Sequence, residues 1–248
     1  MPSPPLRAQL SGCNIAAHIP YYRDEYLGVY MGSDISKKIF EEIDKISAEL
    51  DRRDSLRENI LQVSRELIRC SGRAVTYINA TDLQMAREEI YRCAALVEKL
   101  LNVPETDRDL IRYGAPLQAF AEFCEAVYLY MVVSEDIGES IVLCGEKIPP
   151  EARLIAIEDL TGELRRQAIS LLADWKVDES SWIVKLIGDI YSRLRYLDYP
   201  DSLVPGFRHK VDVMRRALED LEVLLADVRS RRVLIERIAD LERKLGTS

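Results

Sequence analysis

The sequence predicts an all-α fold, and three observations carry that prediction. Gly and Pro are sparse, 11 and 10 among 248 residues. Apolar side chains recur at three- and four-residue intervals from Ser33 onward. Strand-type alternation rich in Val, Thr and aromatics is almost absent. With 48% hydrophobic residues, the chain has ample material for a core at this length. No linker or internal repeat divides the helical region, so six to seven helices in one antiparallel bundle are expected.

Residues 1–33 (MPSPPLRAQLSGCNIAAHIPYYRDEYLGVYMGS) carry Pro, Gly and Tyr without helical periodicity. They read as a poorly ordered N-terminal extension, and Met31 offers a second possible start. The helical domain spans 34–232. Its first helix is expected over 34–79, where Ile35, Ile39, Ile43 and Ile46 are followed by Leu56, Ile60, Val63 and Leu67. A bend is placed near the charged DRRD at 51–54. Asn79-Ala80-Thr81 ends this helix, and Thr81 with Gln84 reads as a capping box for the next, 82–102.

Pro104 stops the second helix, and Glu105-Thr106 opens a third that is expected to run to Glu135. Gly138 and Gly145 fall in the connection that follows. Pro149-Pro150 then starts a fourth helix over 150–174. A fifth is expected over 179–198 with Asp178 as its cap, and YPDSLVPG is a loop. The last helix begins near Phe207 and carries Val211, Met214, Leu218, Leu221, Leu225 and Val228. Residues 233–248 read as a shorter helical extension with Val233, Ile235, Ile238, Leu241 and Leu245 on its apolar side.

A formal charge of −8 argues against indiscriminate binding to nucleic acid or anionic membrane. It leaves room for a local basic groove, since phosphate contact depends on where the Lys and Arg sit. Cys13, Cys70, Cys93, Cys124 and Cys144 show no CxxC spacing, and read as reduced core thiols without a zinc site. The N-terminus has no apolar core of signal-peptide type. The twenty residues from Gly114 to Val133 are long enough to raise membrane spanning. Two Glu near their middle and acid-rich flanks argue against it. A soluble, cytoplasmic protein without a membrane partner is expected.

Within that stretch, GAPLQAFAEFCEAVYLYMVV, the charged residues are Glu122 and Glu125 alone. They lie about 60° apart on one helix face, opposite the stripe Leu117, Phe120, Cys124, Val127, Tyr128 and Met131. An ionised carboxylate in such surroundings is costly unless paired, protonated or bound to metal. The fourth helix repeats the pattern. In IAIEDLTGELRRQAI, Asp159 and Glu163 share a face, with Leu154, Ile157, Leu160, Leu164, Ala168 and Leu171 roughly opposite. Gly162 beside them costs about 1 kcal/mol relative to Ala, which close approach of a backbone, a metal hydrate or a phosphate would explain.

Two helices each presenting two carboxylates can make the oxygen-lined site that Mg²⁺ prefers, and such a metal suits phosphodiester hydrolysis. Neither His18 nor His209 is near these motifs in the sequence, so a metal-bound hydroxide would have to be the nucleophile. The plainer readings are surface pairing of Glu163 with Arg165 or Arg166, a solvated Asp159, and, for Glu122 and Glu125, buried ion pairs or polar contacts at an oligomer interface. A ferritin-like di-iron site is disfavoured, because neither pair carries Glu-x-x-His.

AEFCEAVYLY followed by EDLTGELRRQAIS resembles the translin and translin-associated factor X family, especially its archaeal members; DLTGEL is the most specific element. The likeness extends to FEEIDKISAELDRRDSLRENILQVSREL and to YLDYPDSLVPGFRHKVDVMRRALEDLEVLLADVRSR, covering roughly residues 38–230. It implies a seven-helix protomer in a homo-oligomeric, octamer-like shell, with Mg²⁺-dependent (or Mn²⁺-dependent) endoribonuclease activity on RNA held inside. The family's catalytic, metal-binding carboxylates fall here on Glu122, Glu125, Asp159 and Glu163. Translin itself lacks the complete set, which gives the alternative of a non-catalytic protein binding RNA or single-stranded DNA. RNA contact in the family comes from basic residues on the early helices, which fall here on Arg52, Arg53, Arg57, Arg65 and Arg69. Their plain alternative is local pairing, for example of Arg57 with Asp54 or Glu58. Without aromatic interleaving in that stretch, binding should be largely sequence-independent.

Overall fold

The structure is a computed structural model and describes residues 34–135, 145 and 147–246. The expected N-terminal extension 1–33, Gly138, and the thiols Cys13 and Cys144 lie outside the described residues. Six α-helices and one 3₁₀ helix follow in order: α1 (Asp34–Asn79), α2 (Leu83–Leu101), the 3₁₀ helix (Glu105–Ile111), α3 (Ala115–Ser134), α4 (Pro150–Ala173), α5 (Val177–Leu194) and α6 (Phe207–Gly246). No strand occurs among the described residues. The all-α expectation holds.

The described residues fall into two units that part between Ser55 and Leu56. In the first, the described stretch of α1 presents Ile35, Ile39, Ile43, Ile46 and Leu50 as an exposed apolar stripe. In the second, α3 and α4 form the central pair. Helix α3 packs most extensively on α4 and also on α2, while α4 packs on α5 and α6, and α5 on α6. Contact on several sides explains why α3 lacks a polar face: eleven of its residues, from Pro116 to Tyr130, are buried. By length and composition α3 could also cross a membrane (mean hydropathy 1.2), yet 56% of that stretch is buried inside the protein.

Several boundaries differ from the sequence reading for identifiable reasons. Thr81 is not the α2 cap. It has φ 63°, and ends α1 in a Schellman motif with Thr81 N donating to Ile78 O and Asp82 N to Tyr77 O. Asp82 takes the capping role, its Oδ1 accepting from Met85 N at 3.2 Å. Trp175, at φ 61°, ends α4 in the same way, through Trp175 N to Leu172 O and Lys176 N to Leu171 O. That places the start of α5 at Val177, so Asp178 lies inside the first turn instead of capping it.

The expected third helix is two elements. Glu105–Ile111 is 3₁₀, and Gly114, at φ 64° and ψ −137°, breaks the chain direction before Pro116 enters the first turn of α3. On α4 the buried stripe is Ala152, Ile155, Ala156, Glu158, Leu160, Thr161, Leu164, Ala168 and Leu172. Leu154, Ile157 and Leu171 are only half-buried. At the C-terminus α6 continues unbroken through 233–246. Cys70 on α1 and Cys93 on α2 form a disulfide, their Cα atoms 5.8 Å apart, whereas Cys124 is a buried free thiol. For that pair the reduced-thiol reading fails: helices packed at this distance bring the two sulfurs together.

Candidate carboxylate site

Packing of α3 against α4 brings the two acidic faces together. Glu122 and Glu125 on α3, and Asp159 and Glu163 on α4, are all half-buried. Glu125 is the focus. Burial first, and then the charges of Glu122, Asp159 and Glu163, push its carboxyl up to about 8, with Lys210 pulling the other way. A carboxyl so placed carries its proton at neutral pH.

The other three acids are held by hydrogen bonds. Gln118 Nε2 donates to Glu122 Oε1 at 2.9 Å. Asn79 Nδ2 donates to Glu163 Oε2 at 3.2 Å, and Gln167 Nε2 donates to Asn79 Oδ1 at 2.6 Å. Arg166 approaches the other oxygen of Glu163 at 3.3 Å, so the plain surface pairing is present alongside the cluster. Lys210 Nζ, from the start of α6, donates to Asp159 Oδ1 at 2.6 Å.

Sequence reasoning missed two members. Lys210 is one, brought in by α6 from 51 residues away. Glu158 is the other: its side chain is 1% exposed, with Lys210 Nζ 3.8 Å away, and neither carboxylate oxygen has a hydrogen-bond partner. Burial pushes it up to about 7, partly offset by Lys210. Its signal was legible, since Glu158 stands four residues from Leu154 and three from Ile155, inside the apolar pattern. His209, remote from the acids in sequence, is exposed on the same turn of α6 as Lys210.

Gly162 is exposed, and a Cβ added there would meet nothing within 4 Å. Close backbone approach is therefore not the reason for this glycine. Among the described residues no three Asp, Glu, His or Cys side chains converge closely enough to hold a metal ion as they stand. Glu122, Glu163 and Asp159 are turned toward Gln118, Asn79 and Lys210 respectively. The donor chemistry nevertheless fits a hard divalent cation: oxygen ligands without sulfur, and a Glu125 kept protonated first by burial and then by the charges of three further carboxylates. Rotation of these side chains away from their amide and ammonium partners would be needed to enclose one.

The basic residues of α1 are placed as follows. Arg52, in the first unit, is exposed, and Arg53 beside it is half-buried. Arg57, Arg65 and Arg69, in the second, are all exposed. Arg57 Nη1 pairs with Glu58 at 3.0 Å.

Comparison with known proteins agrees with this architecture. The Translin family profile matches residues 38–232. An uncharacterized protein of Methanocaldococcus jannaschii is 28% identical over 180 residues, spanning 72% of this chain and 79% of the relative. The crystal structure of AfC3PO superposes with a TM-score of 0.68 at 26% identity, over 77% of this chain and 99% of that one. A structure of AfC3PO with duplex RNA gives 0.68 at 25% identity, over 77% and 98%. The crystal structure of apo-NeC3PO shares the fold at 17% identity, with a TM-score of 0.64 over 75% and 96%. The chain belongs to the translin family.

Proposed function

We propose that this protein binds RNA and cleaves its phosphodiester backbone with a divalent cation, Mg²⁺ or Mn²⁺, held by Glu122, Glu125, Asp159 and Glu163. The observation that carries the reading is the state of Glu125, a half-buried carboxyl pushed up to about 8 with three carboxylates acting on it. Such a cluster opposes folding unless its charge is offset. One lysine offsets it in part; a cation between α3 and α4 would complete the compensation. When bound, the ion supplies charge stabilisation at the scissile phosphoryl group and a more acidic water.

The residues of the chain have separate tasks in this scheme. With a cation held there, Glu125 would be a carboxylate ligand, its proton released to solvent. Asn79 and Gln118 hold Glu163 and Glu122 through hydrogen bonds while no cation is bound, and would release them as the carboxylates turn inward. Lys210 holds Asp159 in the same way and, once Asp159 turned to the cation, would be free to meet a phosphate. Apolar side chains around α3 exclude bulk water and keep these interactions strong.

Support for RNA as the partner comes from family membership and from the likeness to AfC3PO, which has been seen with duplex RNA. Arg57, Arg65 and Arg69, with Arg52 and Arg53, would contact the phosphate backbone. The exposed Ile35–Leu50 stripe supports homo-oligomerisation, an octamer-like shell by family resemblance, because a run of bare apolar side chains on a soluble helix calls for a partner.

A second reading is a non-catalytic RNA- or single-stranded-DNA-binding protein, favoured by the hydrogen bonds that occupy Glu122, Asp159 and Glu163. Incubating the purified protein with labelled single-stranded RNA, in Mg²⁺ or in EDTA, separates the two. Cleavage that appears only with Mg²⁺ supports the enzyme; binding without turnover in both supports the alternative.

A further inference from the structure

Where α5 ends and α6 begins, an open surface cavity of about 550 Å³ is formed, large enough for a nucleotide. Leu194, Phe207 and Val211, all buried, give it an apolar floor. On its rim Tyr196 is 77% exposed, and Tyr191 is half-buried. The Arg195 guanidinium sits over both rings, 5.9 Å from the Tyr191 centroid and 5.1 Å from that of Tyr196. Arg208, on the first turn of α6, adds a second cation and is paired with Asp198. Asp212 completes the polar side.

We infer that this cavity receives one unpaired nucleotide of an RNA strand, its base stacked on Tyr196 and its phosphate met by Arg195 and Arg208; the inference rests on the RNA reading above. An aromatic face beside an apolar floor suits a nucleobase. A guanidinium within 6 Å of two tyrosine rings is placed for phosphate or for stacking, and pairing of aromatic and guanidinium groups is how proteins take up single-stranded bases. The carboxylates of Asp198 and Asp212 can accept from ribose hydroxyls or exocyclic amines. A base inside a duplex is already stacked and hydrogen-bonded, so a blunt duplex could not fill this cavity.

Position relates the subsite to the acids. Phe207, Arg208, Val211 and Asp212 line the cavity, and Lys210 on the same stretch of α6 reaches Asp159. The cavity and the carboxylate cluster therefore flank the first turns of one helix.

The test is equilibrium binding in EDTA, where no cleavage occurs, of a single-stranded RNA carrying one 2-aminopurine and of its blunt duplex. The unmodified protein is expected to quench 2-aminopurine in the single strand. Tyr196→Ala should abolish the quenching and weaken single-strand binding at least about tenfold, with duplex binding unchanged. Tyr196→Phe should restore both, and Arg195→Ala should weaken single-strand binding too. Unaltered quenching and affinity in Tyr196→Ala, while the protein still binds RNA, would overturn the subsite and leave the RNA reading standing. Equal loss of single-strand and duplex binding would also overturn it. Failure of the unmodified protein to bind either RNA would overturn both.

Discussion

Lys210 Nζ donates a 2.6 Å hydrogen bond to Asp159 Oδ1, and the same ammonium lies 3.8 Å from Glu158, whose side chain is almost wholly buried. One cation from α6 thus serves two acids of α4 and moderates Glu125 of α3. Breaking a buried pair by removing one partner strands the other's charge. Lys210 is partly exposed, so Lys210→Met should lower stability by about 2 kcal/mol, or the Tm by roughly 4–8 °C. Adding Glu158→Gln to that variant should recover most of the loss in a thermal melt. A double variant no more stable than Lys210→Met would contradict the pairing.

Glu125 gives stability a pH dependence. Its folded-state value of about 8 lies above the ordinary glutamate value of 4.5, so the folded protein holds a proton that the unfolded chain releases. The favourable contribution is complete below about pH 4.5 and disappears as pH rises through about 8. Melts in EDTA from about pH 5 to about pH 9 should show the Tm falling across that window. The fall should be shallower in Glu125→Gln, and added Mg²⁺ should raise the Tm most at the alkaline end.

Gly162 offers a test that is independent of charge. With open space where its Cβ would stand, Gly162→Ala should stabilise α4 by about 0.5–1 kcal/mol, read as a rise in denaturation midpoint. No gain would mean that the helix is strained at this position.

Arg65 and Arg69 are expected to act on phosphate without reading sequence. Each change to Ala should weaken RNA binding similarly for unrelated sequences and flatten the salt dependence of log K by about one. Fluorescence anisotropy at several salt concentrations would measure both effects. A loss confined to one RNA sequence would instead mean base recognition.

Helix positions were legible in the sequence because a 3.6-residue apolar period survives wherever a helix has one wet face. Thus α1, α4 and the start of α6 fall where Ile35, Pro150 and Phe207 place them. The helix ends before Thr81 and Trp175 fall where the sequence places them, but the caps of the helices that follow do not, for one cause: left-handed closing residues that are not glycine, a conformation without a composition signal. The 3₁₀ segment before Gly114 merges with a helix on periodicity alone. In the candidate site, Glu122, Glu125, Asp159 and Glu163 were visible as acids out of place. Glu158 escaped because the chosen stripe on α4 was turned away from the true buried face. Lys210 and Asn79 reach the acids across 51 and 84 residues of chain, and only packing reveals such partners.

The central claim is that the cluster around Glu125 performs cation-dependent RNA cleavage. Its most direct test is cleavage of labelled single-stranded RNA in Mg²⁺ by the unmodified protein and by Glu125→Ala, with RNA affinity and assembly size measured on the same samples. The account predicts that the variant loses cleavage while keeping its assembly and most of its RNA affinity. Undiminished cleavage by Glu125→Ala would contradict it.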